Sequence, residues 1–173
     1  LKEISIPSSV VEIESYSFCK CSSLMIVNIP SSVKTIGNSA FKGCSSMKDL
    51  VIPSSVTKIE GCAFMECSSL TQISIPSSIS TISISTFSHC TSLMNVEIPF
   101  SVISIENYAF SDCSSLHEIV VPSTATSIGN NAFAKETTVK YKYTSEVKFC
   151  NALFKVFLIW VGIMSFIRFI ISP

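Results

Sequence analysis

Eight cysteines, two histidines and many serines are the residues of this 173-residue chain with the means to do chemistry. A thiol can bridge, ligate zinc or attack an electrophile, and an imidazole can serve it as a base. The spacing argues against each use. Cys21, Cys44, Cys67, Cys90 and Cys113 recur every 23 residues. Side chains stacked in one column point the same way, whereas a disulfide needs Cβ vectors that converge. An odd column also cannot pair completely. Cys19 and Cys62 sit off the column and Cys150 lies beyond it. Cys19 and Cys21 are two apart, Cys62 and Cys67 five apart, both poor zinc spacings. The column is expected to be reduced and buried, each thiol a small residue donating weakly to a loop carbonyl. His89 and His117 occupy different repeat positions and read as solvated residues on different faces. Serines at fixed turn positions are turn formers rather than nucleophiles. Asp49 and Asp112 are isolated, and the five glycines form no phosphate-cradling loop. No catalytic, cofactor or metal residue is assigned, so the expectation is a protein without cofactor that is not an enzyme.

The elements that carry these residues repeat six times over 1–138 without insertion or deletion. Leu1, Leu24, Met47, Leu70, Leu93 and Leu116 open the repeats, and Phe18, Phe41, Phe64, Phe87, Phe110 and Phe133 hold position 18. A short fixed period means a stacked solenoid whose coils cannot fold singly. Positions 4 and 6 are apolar in every copy, as in Ile4 and Ile6 or Ile73 and Ile75, which predicts a short strand with this pair inward. Pro at position 7 ends it, because proline has no N–H for the ladder. Positions 10 and 13, such as Val33 and Ile36, predict a second extended piece. Phe at 18 and Cys at 21 have the spacing of one side of a helical turn. Strands ~4.8 Å apart give columns of Ile and Val, of Leu and of Phe through the core.

The local copies Ile29-Pro30-Ser31-Ser32-Val33 with Ala40-Phe41, and Ile52-Pro53-Ser54-Ser55-Val56 with Ala63-Phe64, resemble the BspA-like (Treponema-type) leucine-rich repeat. The resemblance runs through all six repeats. Repeat 6 drifts, with Glu136 for Cys and Thr124-Ala125-Thr126 for the Ser-Val run, and repeat 4 has Thr86 for Ala. It implies a β-rich leucine-rich repeat solenoid, with short strands and a helical turn in each 23-residue coil. It also implies a role: members are largely cell-surface or secreted proteins of bacteria and parasitic protists, implicated in adhesion and host contact.

Positions 3 and 5 of the first strand point away from the core. They read Glu3 and Ser5, Ile26 and Asn28, Asp49 and Val51, Gln72 and Ser74, Asn95 and Glu97, Glu118 and Val120. This strip varies while the core columns do not, is mildly acidic, and is the candidate binding surface for a protein or other macromolecule. Twelve basic and twelve acidic residues cancel, so nothing favours nucleic acid as a partner.

After Thr138 the period is lost. Residues 139–151 read as a closing strand and linker, with Val139-Lys140-Tyr141-Lys142-Tyr143 alternating. Residues 152–171 form an apolar helix long enough to cross a bilayer, with Lys155 and Arg168 snorkelling to its interfaces. The alternatives are a helix capping the last coil, or a degenerate gene end. Leu1 stands in phase with the repeat, with no starting Met or polar cap before it, which suggests a piece of a longer array. The expectation is a binding or adhesion module at the cell surface, tethered through 152–171. An intracellular, cytoplasmic scaffold of the same fold is the alternative, favoured by free thiols, missing glycosylation sequons and the lysines ahead of the apolar span.

Overall fold

The computed structural model describes residues 1–143, of which Leu1–Tyr141 cluster as one unit. The expected apolar helix 152–171 and the linker beyond Tyr143 lie outside the described residues. Twelve strands follow in order: β1 (Glu3–Ser5), β2 (Glu12–Ile13), β3 (Ile26–Asn28), β4 (Thr35–Ile36), β5 (Lys58–Ile59), β6 (Gln72–Ser74), β7 (Thr81–Ile82), β8 (Asn95–Glu97), β9 (Ser104–Ile105), β10 (Glu118–Pro122), β11 (Ser127–Ile128) and β12 (Thr138–Lys142). Each coil but the third lends its first strand to one parallel ladder, and every coil lends its second strand to another. The register follows the period: Glu3 pairs Ile26 and Gln72 pairs Asn95 in the first, Glu12 pairs Thr35 and Thr81 pairs Ser104 in the second.

Between the ladders runs the core. Phe41, Phe64, Phe87 and Phe110 are fully buried, and successive ring centroids from Phe18 to Phe110 lie 5.1 to 5.5 Å apart with nearly parallel planes. Leu24, Met47, Leu70, Leu93 and Leu116 form a second buried column, and Val33, Val56, Ile79 and Val102 a third. Burying a side chain of this size contributes ~1.5–3 kcal/mol, and one coil contributes several, but only against its neighbours.

The helical turn is a correction. Among the described residues there is no helix, and the segment before each column Cys is a run of tight turns. In the first coil Ser17 N–H bonds to Glu14 C=O, Cys19 to Tyr16 and Cys21 to Phe18, each three residues back, at 3.0 to 3.3 Å. The intervening N–H groups of Tyr16, Phe18 and Lys20 reach instead to the next coil, at Asn38, Ala40 and Lys42. Such a backbone needs left-handed residues. Position 16 is left-handed in all six coils, from Tyr16 (φ 62°) to Asn131 (φ 52°), and position 20 in five, where Gly43 (φ 73°) alone is the residue type suited to it. Phe18 and Cys21 share a side because a tight turn closes between them, which three-residue spacing cannot tell from a helix.

Hydroxyls and thiols stitch coil to coil. At position 9 Ser32, Ser55, Ser78 and Ser101 donate to the carbonyls of Val10, Val33, Val56 and Ile79 in the coil before. Thr124 does the same to Val102, so the drift of repeat 6 keeps the hydroxyl that the stack uses. Thr86, the outlier of repeat 4, is buried, and its Oγ1 bonds to Ser83 C=O at 2.7 Å.

The stack has two irregularities. In the third coil residues 49–51 form no strand, so the first ladder divides into β1–β3 and β6–β8–β10–β12, while the second divides between β5 and β7. The sixth coil also closes early: Thr138 N–H bonds to His117 C=O only 21 residues back, where Met25 bonds to Lys2, 23 back. Drift at Glu136 accompanies a looser last ring contact, Phe110 to Phe133 at 6.0 Å.

Candidate functional site

The groups with chemical potential are distributed as structure rather than gathered as a site. Cys44, Cys67, Cys90 and Cys113 are buried, and each thiol donates to the carbonyl of the position-18 Phe in the preceding coil, at 3.2 to 3.3 Å. Burial disfavours the thiolate. It pushes Cys44 and Cys113 up to about 12 and raises Cys67 and Cys90 as well, with neighbouring column thiols adding to the rise at Cys44, Cys67 and Cys90. A thiol so raised is inert as a nucleophile at neutral pH. Cys21, first in the column, is only half-buried because no described coil precedes it. Among the described cysteines none is bridged. His89 lies 3.5 Å from Asp112 on the turn edge, both exposed, and His117 stands beside the first ladder. Among the described residues no group of three or more His, Cys, Asp or Glu side chains could hold a metal ion.

The strip is assembled by the first ladder and, at Asp49 and Val51, by the strandless third coil between its two parts. All twelve of its residues are exposed: Glu3, Ser5, Ile26, Asn28, Asp49, Val51, Gln72, Ser74, Asn95, Glu97, Glu118 and Val120. The strand pleat explains this, since the residues between them, such as Val27, Ile73 and Ile119, fill the core. Parallel register sets like positions side by side. Asn28 Nδ2 bonds to Ser5 Oγ at 3.2 Å, Ser74 Oγ to Glu97 Oε2 at 3.1 Å, and Lys140 of β12 pairs Glu118 at 2.6 Å.

Two adjoining depressions open on this strip. One, of about 540 Å³, is lined by Leu50, Val51, Ile52 and Pro76 on its apolar side and by Gln72, Ser74, Asn95 and Glu97 on its polar side. The other, of about 760 Å³, shares Gln72, Asn95 and Glu97 and runs to Met94, His117, Glu118 and Val120. Position 2 is the part that pattern reasoning missed. Met25 and Met94 are 40% and 53% exposed at the border of the strip. Methionine there gives an adaptable apolar contact. The signal was present, because position 2 directly precedes the strand and Met25 N–H already bonds to the neighbouring coil.

A uniform core bearing one varied, exposed strand row is the arrangement of a leucine-rich repeat solenoid, a class whose members are typically non-enzymatic binding modules. The model of the BspA type leucine rich repeat region matches six copies over residues 1–99 and 34–156, and the chain belongs to that family. A crystal structure of a leucine rich cell surface protein from Faecalibacterium prausnitzii is similar at 39% identity and TM-score 0.76, over 84% of this chain and 40% of its own. A leucine-rich repeat protein from Bacteroides ovatus is similar at 35% identity and TM-score 0.77, over 82% of this chain and 37% of its own. One from Eubacterium ventriosum is 27% identical with TM-score 0.61, over 83% of this chain and 45% of its own. The chain thus spans less than half the length of these three proteins. No curated protein matches it.

Proposed function

We propose that the chain is a protein-interaction module displayed at a cell surface, and that it contacts host or neighbouring-cell macromolecules through the strip from Glu3 to Val120. The observation that carries this reading is the contrast within one stretch: inward positions 4 and 6 stay apolar in every coil, while exposed positions 3 and 5 change from each coil to the next. Folding requires the first, while the second leaves a contiguous exposed row with two depressions to meet a partner. That the Faecalibacterium relative is a leucine rich cell surface protein supports the compartment. Residues 152–171 supply the tether in this reading. Among the described residues no helix is long and apolar enough to cross a membrane.

An intracellular scaffold is the second reading, favoured by the reduced thiol column. Such columns persist in either compartment when buried, so location needs its own test. Intact source cells are treated with a membrane-impermeant amine-reactive biotin. Lys58, whose side chain is 64% exposed, and Lys140, at 58%, are expected to be labelled before lysis. Labelling only after lysis places the protein inside and gives the scaffold reading its turn.

A further inference from the structure

We infer that the depression where the fifth and sixth coils meet on the turn edge holds a neutral pyranose unit of a glycan, with its C–H face laid on Tyr108. The site shares no residue with the strip, so it goes beyond the proposed function. Its volume is about 480 Å³, on the scale of small-ligand pockets, ~300–1,000 Å³. It exists because the sixth coil departs from the repeat. In the first four coils the position-20 N–H bonds to the position-19 carbonyl of the next coil: Lys20 to Lys42, Gly43 to Met65, Glu66 to Ser88 and His89 to Ser111, at 2.6 to 2.9 Å. Asp112 N–H makes no such bond to Ala134 among the described residues, and Lys135 is the one position-20 residue that is not left-handed. Glu136, in the place of the column Cys, has no thiol proton to give the Phe110 carbonyl, and Thr137 Oγ1 instead bonds to Leu116 C=O at 2.6 Å. The last turn therefore leaves a gap over the fifth coil, floored by buried Cys113 and Leu116.

The rim suits a sugar. A pyranose has an apolar C–H face that lies flat on an aromatic ring, and an edge of hydroxyls that needs both donors and acceptors. Tyr108 supplies the ring and is 42% exposed. The fold does not ask for it there, because position 16 reads Tyr, Ser, Cys, Ser, Tyr and Asn through the six coils. Asp112 and Glu136 offer acceptors, Lys135 donors, and Asn131 one of each kind. The side chains of Asn131, Lys135 and Glu136 make no hydrogen bond or ion pair among the described residues. Asp112 is engaged through Oδ2 alone, by Ser111 Oγ at 3.0 Å and His89 Nε2 at 3.5 Å. The two depressions on the strip have no aromatic ring in their lining, so this one is set apart by chemistry as well as place. Two carboxylates against one ammonium disfavour an anionic sugar or a phosphate, and the ammonium weakens the pull on a cation, which leaves a neutral ligand. All five rim residues are exposed, so the depression is open enough for one unit of a longer saccharide chain.

The test is saturation-transfer NMR of the full chain with the methyl glycosides of glucose, galactose, mannose and N-acetylglucosamine. Saturation is expected to reach the ring C–H protons of at least one of them. Tyr108→Ala and Asp112→Asn should each weaken that glycoside roughly tenfold, the scale of one aromatic contact or one charge-assisted bond. Tyr108→Phe should keep it, and so should Val51→Asp on the strip. A trisaccharide of the same sugar should bind at least as tightly as the methyl glycoside. Because Tyr108 and Asp112 are exposed, unchanged denaturation midpoints are expected of the variants, and Asp112→Asn is nearly isosteric. No transfer to any glycoside, binding indifferent to Tyr108→Ala, or preference for a methyl sialoside overturns the inference. Exclusion of the trisaccharide overturns it too, since the ligand is then a free sugar. None of these outcomes touches the labelling of intact cells, so the proposed function stands or falls separately.

Discussion

Phe64→Ala is expected to cost about 3–5 kcal/mol of stability, and Phe18→Ala about half of that or less. Phe64 is fully buried, with a parallel ring 5.5 Å away on each side, at Phe41 and at Phe87. Truncation there opens a cavity that two coils must share, and a well-packed stack relaxes little into it. Phe18 is only partly buried and stacks on Phe41 alone, at 5.1 Å. In a chain of nearest-neighbour couplings, a central coil carries two interfaces and an end coil one. Guanidinium denaturation of the two variants gives the comparison. Equal shifts of the midpoint would mean that the Phe column does not couple the coils.

This column was legible in the sequence because core positions repeat at full strength: six Phe at one position say that each ring meets its own kind. The strip followed from the same logic, since alternation in a strand assigns outward residues as firmly as inward ones. What escaped was backbone detail. Phe18 and Cys21 are equally compatible with a helix and with a tight turn, and only the left-handed residues at positions 16 and 20 decide it. Non-glycine residues such as Tyr16 and Glu66 give no hint of that conformation. The break at the third coil was hidden because Leu50 and Ile52 keep the consensus and stay buried, while the missing bonds belong to their main chain. Met94 escaped because position 2 is not part of the alternation at positions 3 to 6, and it reads Lys, Met, Lys, Thr, Met and His through the six coils.

Alkaline pH is expected to unfold this protein steeply, through the thiol column. In the folded chain Cys44 and Cys113 stay protonated up to about 12, and Cys67 and Cys90 are raised as well, from an ordinary value of 9.0. The unfolded chain therefore releases these protons first. Their stabilising contribution is complete below pH 9, falls as pH rises above it, and for Cys44 and Cys113 is exhausted near 12. Well above pH 9 each thiol removes ~1.4 kcal/mol per pH unit, so the four together remove ~5 kcal/mol per unit. That is comparable to the whole stability of a domain, ~5–15 kcal/mol, which places unfolding at about pH 10 to 11. Urea midpoints at pH 8, 9 and 10 measure the slope. A variant with Cys44, Cys67, Cys90 and Cys113 all changed to Ala starts less stable but should show a much flatter pH dependence. All other groups are common to both proteins and cancel in the difference. Parallel slopes would show that the thiols are not held protonated by burial.

Function on this account resides in the twelve exposed side chains of the strip, not in any reactive group. The direct measurement is attachment of bacteria displaying the chain to layers of epithelial cells. Two variants are compared with the parent: Val51→Asp with Glu97→Lys on the strip, and Lys34→Glu with Thr57→Lys beside the second ladder. All four positions are exposed, so the fold tolerates both pairs. The account predicts that the strip pair loses attachment at least tenfold while the second pair keeps it. Attachment that survives the strip changes and falls with the second-ladder changes would contradict it.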